Sequence, residues 1–253
     1  MTDGNGEIAT LSRAIETAER IVALTGAGIS TESGIPDFRS PGGIWSRMKP
    51  ITYGEFVSSE AARLEDWRRR FAMNESFAQA KPNEGHLGLV RMEEAGRLQG
   101  LVTQNIDGLH QRAGFPADRL IEIHGNATHG RCLDCGGQMS LSDIRDVIRA
   151  TSASPRCECG GLVKAAIISF GERMPSDDLR SASDLAASAD LFLAIGSSLV
   201  VQPANALPLI AKRSGARLII INRQETPADS AADLCVRQPI GAVFSTLFPQ
   251  VVN

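Results

Sequence analysis

Seven consecutive residues, Gln104-Asn105-Ile106-Asp107-Gly108-Leu109-His110, place two amides, a carboxylate and an imidazole directly after an apolar run that ends at Thr103. Far upstream, Gly26-Ala27-Gly28-Ile29-Ser30 follows another such run, Ile21-Val22-Ala23-Leu24-Thr25. Glycine tolerates positive φ and lets backbone N–H groups approach a pyrophosphate. The turn falls short of a full G-x-G-x-x-G, so alone it reads equally well as a structural turn. The next segment adds weight to the phosphate reading. Ser33-Gly34-Ile35-Pro36-Asp37-Phe38-Arg39-Ser40 is a polar, turn-rich loop with one aromatic and one arginine, a candidate lid over a phosphate or ribose. A glycine turn for a dinucleotide, combined with a dense polar run, predicts cleavage of the nucleotide rather than hydride transfer from it.

The cysteines suggest a second chemistry. Four of the five fall between Cys132 and Cys159, and Cys235 stands alone as a candidate core thiol. Cys132-x-x-Cys135 and Cys157-x-Cys159 form two close pairs with 21 residues between them. That is the pattern of a tetrahedral structural zinc site, and clustered cysteines in a cytosolic chain point to metal before disulfides. The single spacer, Glu158, is short for such a pair, though Gly160-Gly161 beside it allows a tight turn.

These residues need elements to position them. Apolar runs at 21–25, 101–103, 120–123, 165–168, 191–195 and 218–221 read as buried strands. Helical patterns occupy 7–19, 83–95, 176–188 and 204–213; Ile8, Leu11, Ile15 and Ala18 share one face of the first. Continuous apolar strands alternating with helices predict an α/β fold, a Rossmann-like parallel sheet with helices on both faces. Ligands of such sheets bind at the carboxyl ends of the strands. Gly26, Gln104, His124, Gly196 and Asn222 each stand at the end of one of these runs, so five distant segments converge on one edge if the strands are parallel. Two stretches break the alternation: about 40–81, with Trp45, Tyr53, Trp67 and Phe71, and about 130–163, with the cysteines.

The 253 residues suffice for one large domain with a small insert. A net charge of −3 disfavours a domain built to bind nucleic acid; the consecutive Arg68, Arg69 and Arg70 read as a solvated helix face. No run approaches the ~20 apolar residues of a membrane span, and the N-terminus lacks a signal-peptide pattern. A cytoplasmic protein is expected.

Taken together, Gly26-Ala27-Gly28-Ile29-Ser30, Gly34-Ile35-Pro36-Asp37-Phe38-Arg39, Lys81-Pro82-Asn83 with His86, Thr103 to His110, His124-Gly125, Phe170-Gly171-Glu172 with Pro175, Gly196-Ser197-Ser198-Leu199 with Pro203-Ala204, and Ile221-Asn222 closely resemble the sirtuins, the NAD-dependent protein lysine deacylases. The resemblance runs from about residue 15 to 250 in the family's order. It implies a Rossmann-like NAD-binding domain made of 1–39, 82–129 and 164–253. It also implies a small lobe made of a helical module (40–81) and a zinc module (130–163). The short termini fit a compact enzyme of prokaryotic type without a regulatory domain.

By the same resemblance, His124 is the general base on the ribose hydroxyls, a task that suits an imidazole. Asn105 and Asp107 complete the catalytic set and grip the nicotinamide end, although an Asp just past a strand also reads as a helix cap. Gln104 and Ile106 lie near the nicotinamide ribose, Phe38 shields it, and Arg39 faces phosphate beside Asp37. Gly26, Ala27, Gly28, Ser30 and Ile240 belong to the cofactor set, as do Gly196, Ser197, Ser198, Asn222, Arg223 and Gln224, which are expected toward the adenosine half. Phe170, Gly171 and Glu172 on one side, and Val200 and Val201 on the other, are the edges between which an acyl-lysine peptide adds as a β-strand. Cys132, Cys135, Cys157 and Cys159 hold one structural Zn2+. His86, His110 and His129 are given structural roles.

Sirtuins that prefer acidic acyl groups carry a tyrosine and an arginine three residues apart in the helical module. Here Tyr53 is followed three residues later by Phe56. A neutral acyl group, acetyl first and longer chains next, is expected. Three rival readings remain: a mono-ADP-ribosyltransferase or NAD hydrolase on the same scaffold, a zinc-ribbon adaptor without catalysis, and a dehydrogenase. The acidic balance and the presence of His124, Asn105 and Asp107 weigh against the adaptor. A dehydrogenase needs no zinc module and commonly offers Asp or Glu, not Asn222, to the adenosine ribose.

Overall fold

The structure, a computed structural model, describes residues 4–40, 42–46 and 48–249; the Trp45 side chain lies outside the described set. The strands are β1 (Ile21–Thr25), β2 (Leu98–Thr103), β3 (Leu120–Glu122), β4 (Gly125–Cys132), β5 (Gln138–Ser140), β6 (Val163–Ile167), β7 (Leu191–Ile195), β8 (Arg217–Ile221) and β9 (Leu234–Val236). The α-helices are α1 (Gly4–Thr17), α2 (Tyr53–Ser58), α3 (Glu60–Gln79), α4 (Glu84–Glu94), α5 (Leu109–Arg112), α6 (Leu141–Thr151), α7 (Ser176–Ser188), α8 (Leu207–Arg213) and α9 (Ile240–Leu247).

Six strands form a parallel sheet in the order β3-β2-β1-β7-β8-β9. Its inner strands read as unbroken apolar runs because both of their faces are covered. Ile21 and Ala23 of β1 join one core with Leu191, Leu193 and Ile195 of β7, closed by Leu89 and Met92 of α4 and Val243 and Phe244 of α9. The intervening Val22 and Leu24 face the opposite core with Phe192 and Ala194, under Ala182 and Ala186 of α7 and Leu207 and Ala211 of α8. Leu11, Ile15 and Ala18 bury the α1 face in the first core, as their spacing predicts, and Ala14 joins them; Ile8 is buried as well. The chain runs outward from β1 to β3, then returns at β7 on the other side of β1. A crevice opens where the strand order reverses.

A second sheet, in the order β5-β4-β6, is antiparallel. This corrects one expectation. The run at 165–168 does not extend the parallel sheet; β6 pairs antiparallel with β4. An apolar run reports burial and not the partner. Here Val163, Ala165 and Ile167 are buried in a third core with Trp67 and Phe77 of α3 and Ile144 of α6. The sequence also does not announce β4, β5 and β9. β4 carries no apolar run, β5 has three residues with no buried side chain, and β9 is a short, partly exposed edge. Among the described residues no helix is long and apolar enough to cross a membrane.

Candidate active site

The carboxyl ends of β1 and β7 meet at two glycines. Gly28 N–H donates to Gly196 O at 2.8 Å, and Gly26 N–H donates to Ile195 O at 3.0 Å. A Cβ on Gly28 would sit 2.7 Å from Gly196 O, and Gly196 itself adopts φ +61°. The glycines therefore permit a close backbone approach at the reversal point, where the first turn opens into a 3-10 helix (Ala27–Ser33). Beside this turn lies a cavity of about 630 Å3.

The ends of five strands do converge there. Gly26, Gln104, His124, Gly196 and Asn222 all line the cavity, joined by Ala27, Gly28, Asp37, Phe38, Arg39, Asn105, Ile106, Ser197, Ser198 and Gln224. Phe170, Gly171, Glu172 and Val201 line its other side. Not every expected residue reaches it. Ser30 and Asp107 sit behind Asn105, Arg223 is exposed outside the wall, and Val200 is exposed at 47%. Ile240 is buried in the first core, against Gly85 at the start of α4.

The polar run after β2 is held in a network. Asn105 donates through Nδ2 to Gly26 O and Ser30 Oγ, both at 3.2 Å. Ser30 Oγ in turn donates to Asp107 Oδ2 at 2.7 Å. Asp107 also accepts from Leu109 N–H at 2.9 Å, so it anchors the start of α5 as well. Burial pushes its carboxyl pKa up. Gln104 Nε2 donates to Ser197 Oγ at 2.8 Å, which ties the β2 end to the β7 end. In the 33–40 loop, Asp37 accepts from Arg39 N–H and Ser40 N–H and fixes the turn.

His124 follows β3 by two residues. Its Nδ1 lies 3.0 Å from Gln104 O. A carbonyl only accepts, so Nδ1 carries the proton and Nε2 keeps the basic lone pair. Burial lowers the imidazole pKa; the Gln104 carbonyl raises it and the Arg39 charge lowers it further. Burial thus favours the neutral ring that a base requires. His86 and His110 are buried outside the cavity, with ring centroids 4.9 Å apart. His129 is also outside it, on β4, with Nδ1 3.1 Å from Thr128 Oγ1.

The four cysteines converge in the small lobe. Their Sγ atoms all lie within 4.8 Å of one another, with Cys132–Cys159 at 3.5 Å and Cys135–Cys157 at 3.6 Å. A tetrahedral ZnS4 centre with bonds of about 2.3 Å needs sulfur–sulfur edges of about 3.8 Å. The donor set thus fits zinc despite the single spacer, and four protein ligands leave no position open for catalysis. Gly161 makes the tight approach possible, since a Cβ there would lie 2.6 Å from Cys132 Sγ.

One wall of the cavity carries no sequence motif. Asp66, Arg69, Arg70 and Met73 of α3 reach it, with Met48 and Ile51 from the loop before α2. Consecutive helical residues are about 100° apart, so Arg68 to Arg70 cannot share one face. Arg68 is solvated, with a side chain 70% exposed, while Arg69 and Arg70 turn inward. This corrects their reading as a single solvated face. Only the packing of α3 against β4 and β6 reveals which arginines line the cavity.

The family model described as "Sir2 family" matches residues 26–203. The chain belongs to the Sir2 family. It is 52% identical over 240 residues to an NAD-dependent protein deacetylase of Rhodopseudomonas palustris, covering 94% of each chain. It is 50% identical over 253 residues to NAD-dependent protein deacetylase 1 of Bradyrhizobium diazoefficiens, covering 100% of this chain and 98% of that one. A solved Sir2 complex with p53 peptide and NAD+ superposes with a TM-score of 0.82 at 36% identity, covering 95% of this chain and 96% of that one. Another Sir2 structure, with deacetylated p53 peptide and 3′-O-acetyl ADP ribose, gives a TM-score of 0.85 at 38% identity, covering 94% and 96%.

Proposed function

We infer that this chain is an NAD-dependent protein lysine deacetylase, which moves the acetyl group from lysine to ADP-ribose and releases nicotinamide. The observation that carries the reading is His124, its Nδ1 held on the Gln104 carbonyl and its ring on the wall where five strand ends converge. NAD is the co-substrate. Gly26, Ala27 and Gly28 would hold its pyrophosphate, Gln104, Asn105 and Ile106 its nicotinamide end, and Ser197, Ser198, Asn222 and Gln224 its adenosine half; all of them line the cavity. The Ser30–Asp107 pair supports this floor from behind. The acyl-lysine oxygen attacks C1′ of the nicotinamide ribose, the C1′–nitrogen bond breaks, and nicotinamide leaves with that electron pair. His124 then takes a proton from a ribose hydroxyl, whose oxygen adds to the acyl carbon. The proton passes to the lysine nitrogen, and the acyl–nitrogen bond breaks to release the lysine amine. Water adds to the acyl carbon as its bond to the C1′ oxygen breaks, leaving O-acetyl-ADP-ribose. Zinc, held by the four cysteines, supplies structure to the small lobe and takes no part in the chemistry.

The peptide adds between the exposed Phe170 and Val200 segments as a strand. A neutral acyl group suits the α3 wall, because Arg70 is paired with Asp66 at 3.1 Å and Arg69 with Glu65 at 2.7 Å. We assign 1–39, 82–129 and 164–253 to the NAD-binding domain and 40–81 with 130–163 to the small lobe, with β4 and β6 crossing between them. A cytoplasmic protein that binds no nucleic acid is the accompanying reading.

Mass spectrometry of protein, NAD and an acetyl-lysine peptide tests it. Nicotinamide, deacetylated peptide and O-acetyl-ADP-ribose are expected together, and His124→Ala should lower their formation about 10²- to 10⁴-fold. Nicotinamide release with the acetyl group left in place would move the assignment to ADP-ribosyl transfer or NAD hydrolysis.

A further inference from the structure

Behind the cavity wall lies a buried charge that the deacetylation chemistry does not use. Lys164, on β6, is 2% exposed. Its ammonium has three protons and three acceptors: Ala165 O at 3.1 Å, Ile167 O in a short contact, and Glu172 Oε2 at 3.0 Å. Glu172 Oε2 also accepts from Ser169 N–H at 2.8 Å, and Glu172 N–H donates to Ser169 O at 3.0 Å. One cation therefore binds the end of β6 to the loop after it. Asp66 and Arg70 of α3, paired with each other, are near enough to act on its charge, so the cluster alternates in sign. Burial draws the ammonium pKa down and Glu172 draws it back up.

What this cage holds is the substrate side of the cavity. Ile168, Ser169, Phe170, Gly171 and Glu172 all line it, and Phe170 O accepts from Tyr53 N–H of α2 at 2.8 Å. One residue past the caged Ile167 carbonyl, Ile168 N–H donates to His124 O at 2.9 Å. The same short segment thus reaches the peptide edge on one side and the backbone of the base on the other. Removing one partner of a buried pair leaves the other charge uncompensated, so this loop is the first element to shift when Lys164 is lost.

We propose that Lys164 is a positioning residue for the acyl-peptide, holding the 168–172 loop in the shape that receives the substrate strand. It touches neither NAD nor the acyl group. The proposal rests on the deacetylase reading, because it names a peptide edge.

Steady-state kinetics on Lys164→Met and Lys164→Arg, with acetyl-peptide and NAD varied separately, tests it. Lys164→Met should raise the peptide KM about ten- to hundred-fold and leave the NAD KM within about threefold, since misplacing a substrate edge costs that much without touching the other ligand. Lys164→Arg, which keeps a charged donor for the same acceptors, should restore the peptide KM. A purely structural lysine would lower Tm and leave the peptide KM unchanged, or raise both KM values alike; either result overturns the proposal. If Lys164→Met is insoluble, Lys164→Gln, which keeps two donors without the charge, carries the same comparison. A wild-type protein without deacetylase activity would sink the functional reading instead; an active wild type with an unmoved variant sinks the clamp alone.

Discussion

At the scale of single residues, His124 and the two facing glycines carry the sharpest expectations. The folded-state pKa of His124 lies below the ordinary imidazole value of about 6.5 because burial disfavours the cation. The base form thus persists below the pH at which a free imidazole would protonate. The acid limb of kcat/KM, which reports the free enzyme, should accordingly have its midpoint below about pH 6.5. A midpoint above about 7 would mean that another group titrates. Gly28→Ala should be destabilised by about 1–3 kcal/mol or more, since its Cβ would meet the backbone of Gly196 and not a side chain that can swing away. It should also weaken NAD binding, which calorimetric titration would read directly. Ala at Gly54, where a Cβ meets nothing within 4 Å, is the matched control.

Among the elements, the zinc module and α3 respond to different changes. The four-cysteine centre closes the turns at 132–137 and 157–161 that frame the antiparallel sheet. Metal removal by a chelator should loosen β4, β5 and β6 first. Hydrogen exchange should then lose protection across about 130–165 while β1 and β7, buried on both faces, keep theirs. Uniform loss across both sheets would contradict independent support for the lobe. On α3, the Asp66–Arg70 pair keeps a guanidinium engaged at the cavity wall. Asp66→Asn releases it, and the ratio of succinyl- to acetyl-peptide turnover should rise about tenfold, the scale of one recovered charge-assisted contact. An unchanged ratio would remove this wall from acyl selection.

For the whole molecule, the buried imidazoles make stability depend on pH. His86 is pulled down to about 4 and His110 is also well below its ordinary value, both chiefly by burial. The unfolded chain binds protons at these groups near pH 6.5 and the folded chain does so only at lower pH, so stability falls as pH drops from about 6.5 toward 4. Asp107, whose pKa is raised, acts in the opposite direction, but the lowered imidazoles outnumber it. Calorimetry should record a lower Tm at about pH 5 than at about pH 7. An equal or higher Tm at the acid end would show that the folded chain accommodates these imidazolium ions.

Much of this protein is legible from residue order because the signals are local. Apolar runs of about five residues mark the inner parallel strands, and the α1 face is readable from a period of about 3.6 residues. The glycine turn, the polar run after β2, His124 and the cysteine pairs are recognisable because their chemistry depends on residue type and short spacing. The same sequence leaves other features undecided, since they depend on which surfaces meet. The apolar run at 165–168 signals burial but not a partner, and only the tertiary packing against α3 and α6 shows β6 to be the antiparallel neighbour of β4. Arg68, Arg69 and Arg70 are one string of letters, yet helix geometry sends the first to solvent and the other two to the cavity. Lys164 and Glu172 lie eight positions apart with nothing in the sequence to pair them. Their ion pair exists because the chain turns back after β6 and brings the half-buried Glu172 onto the buried Lys164.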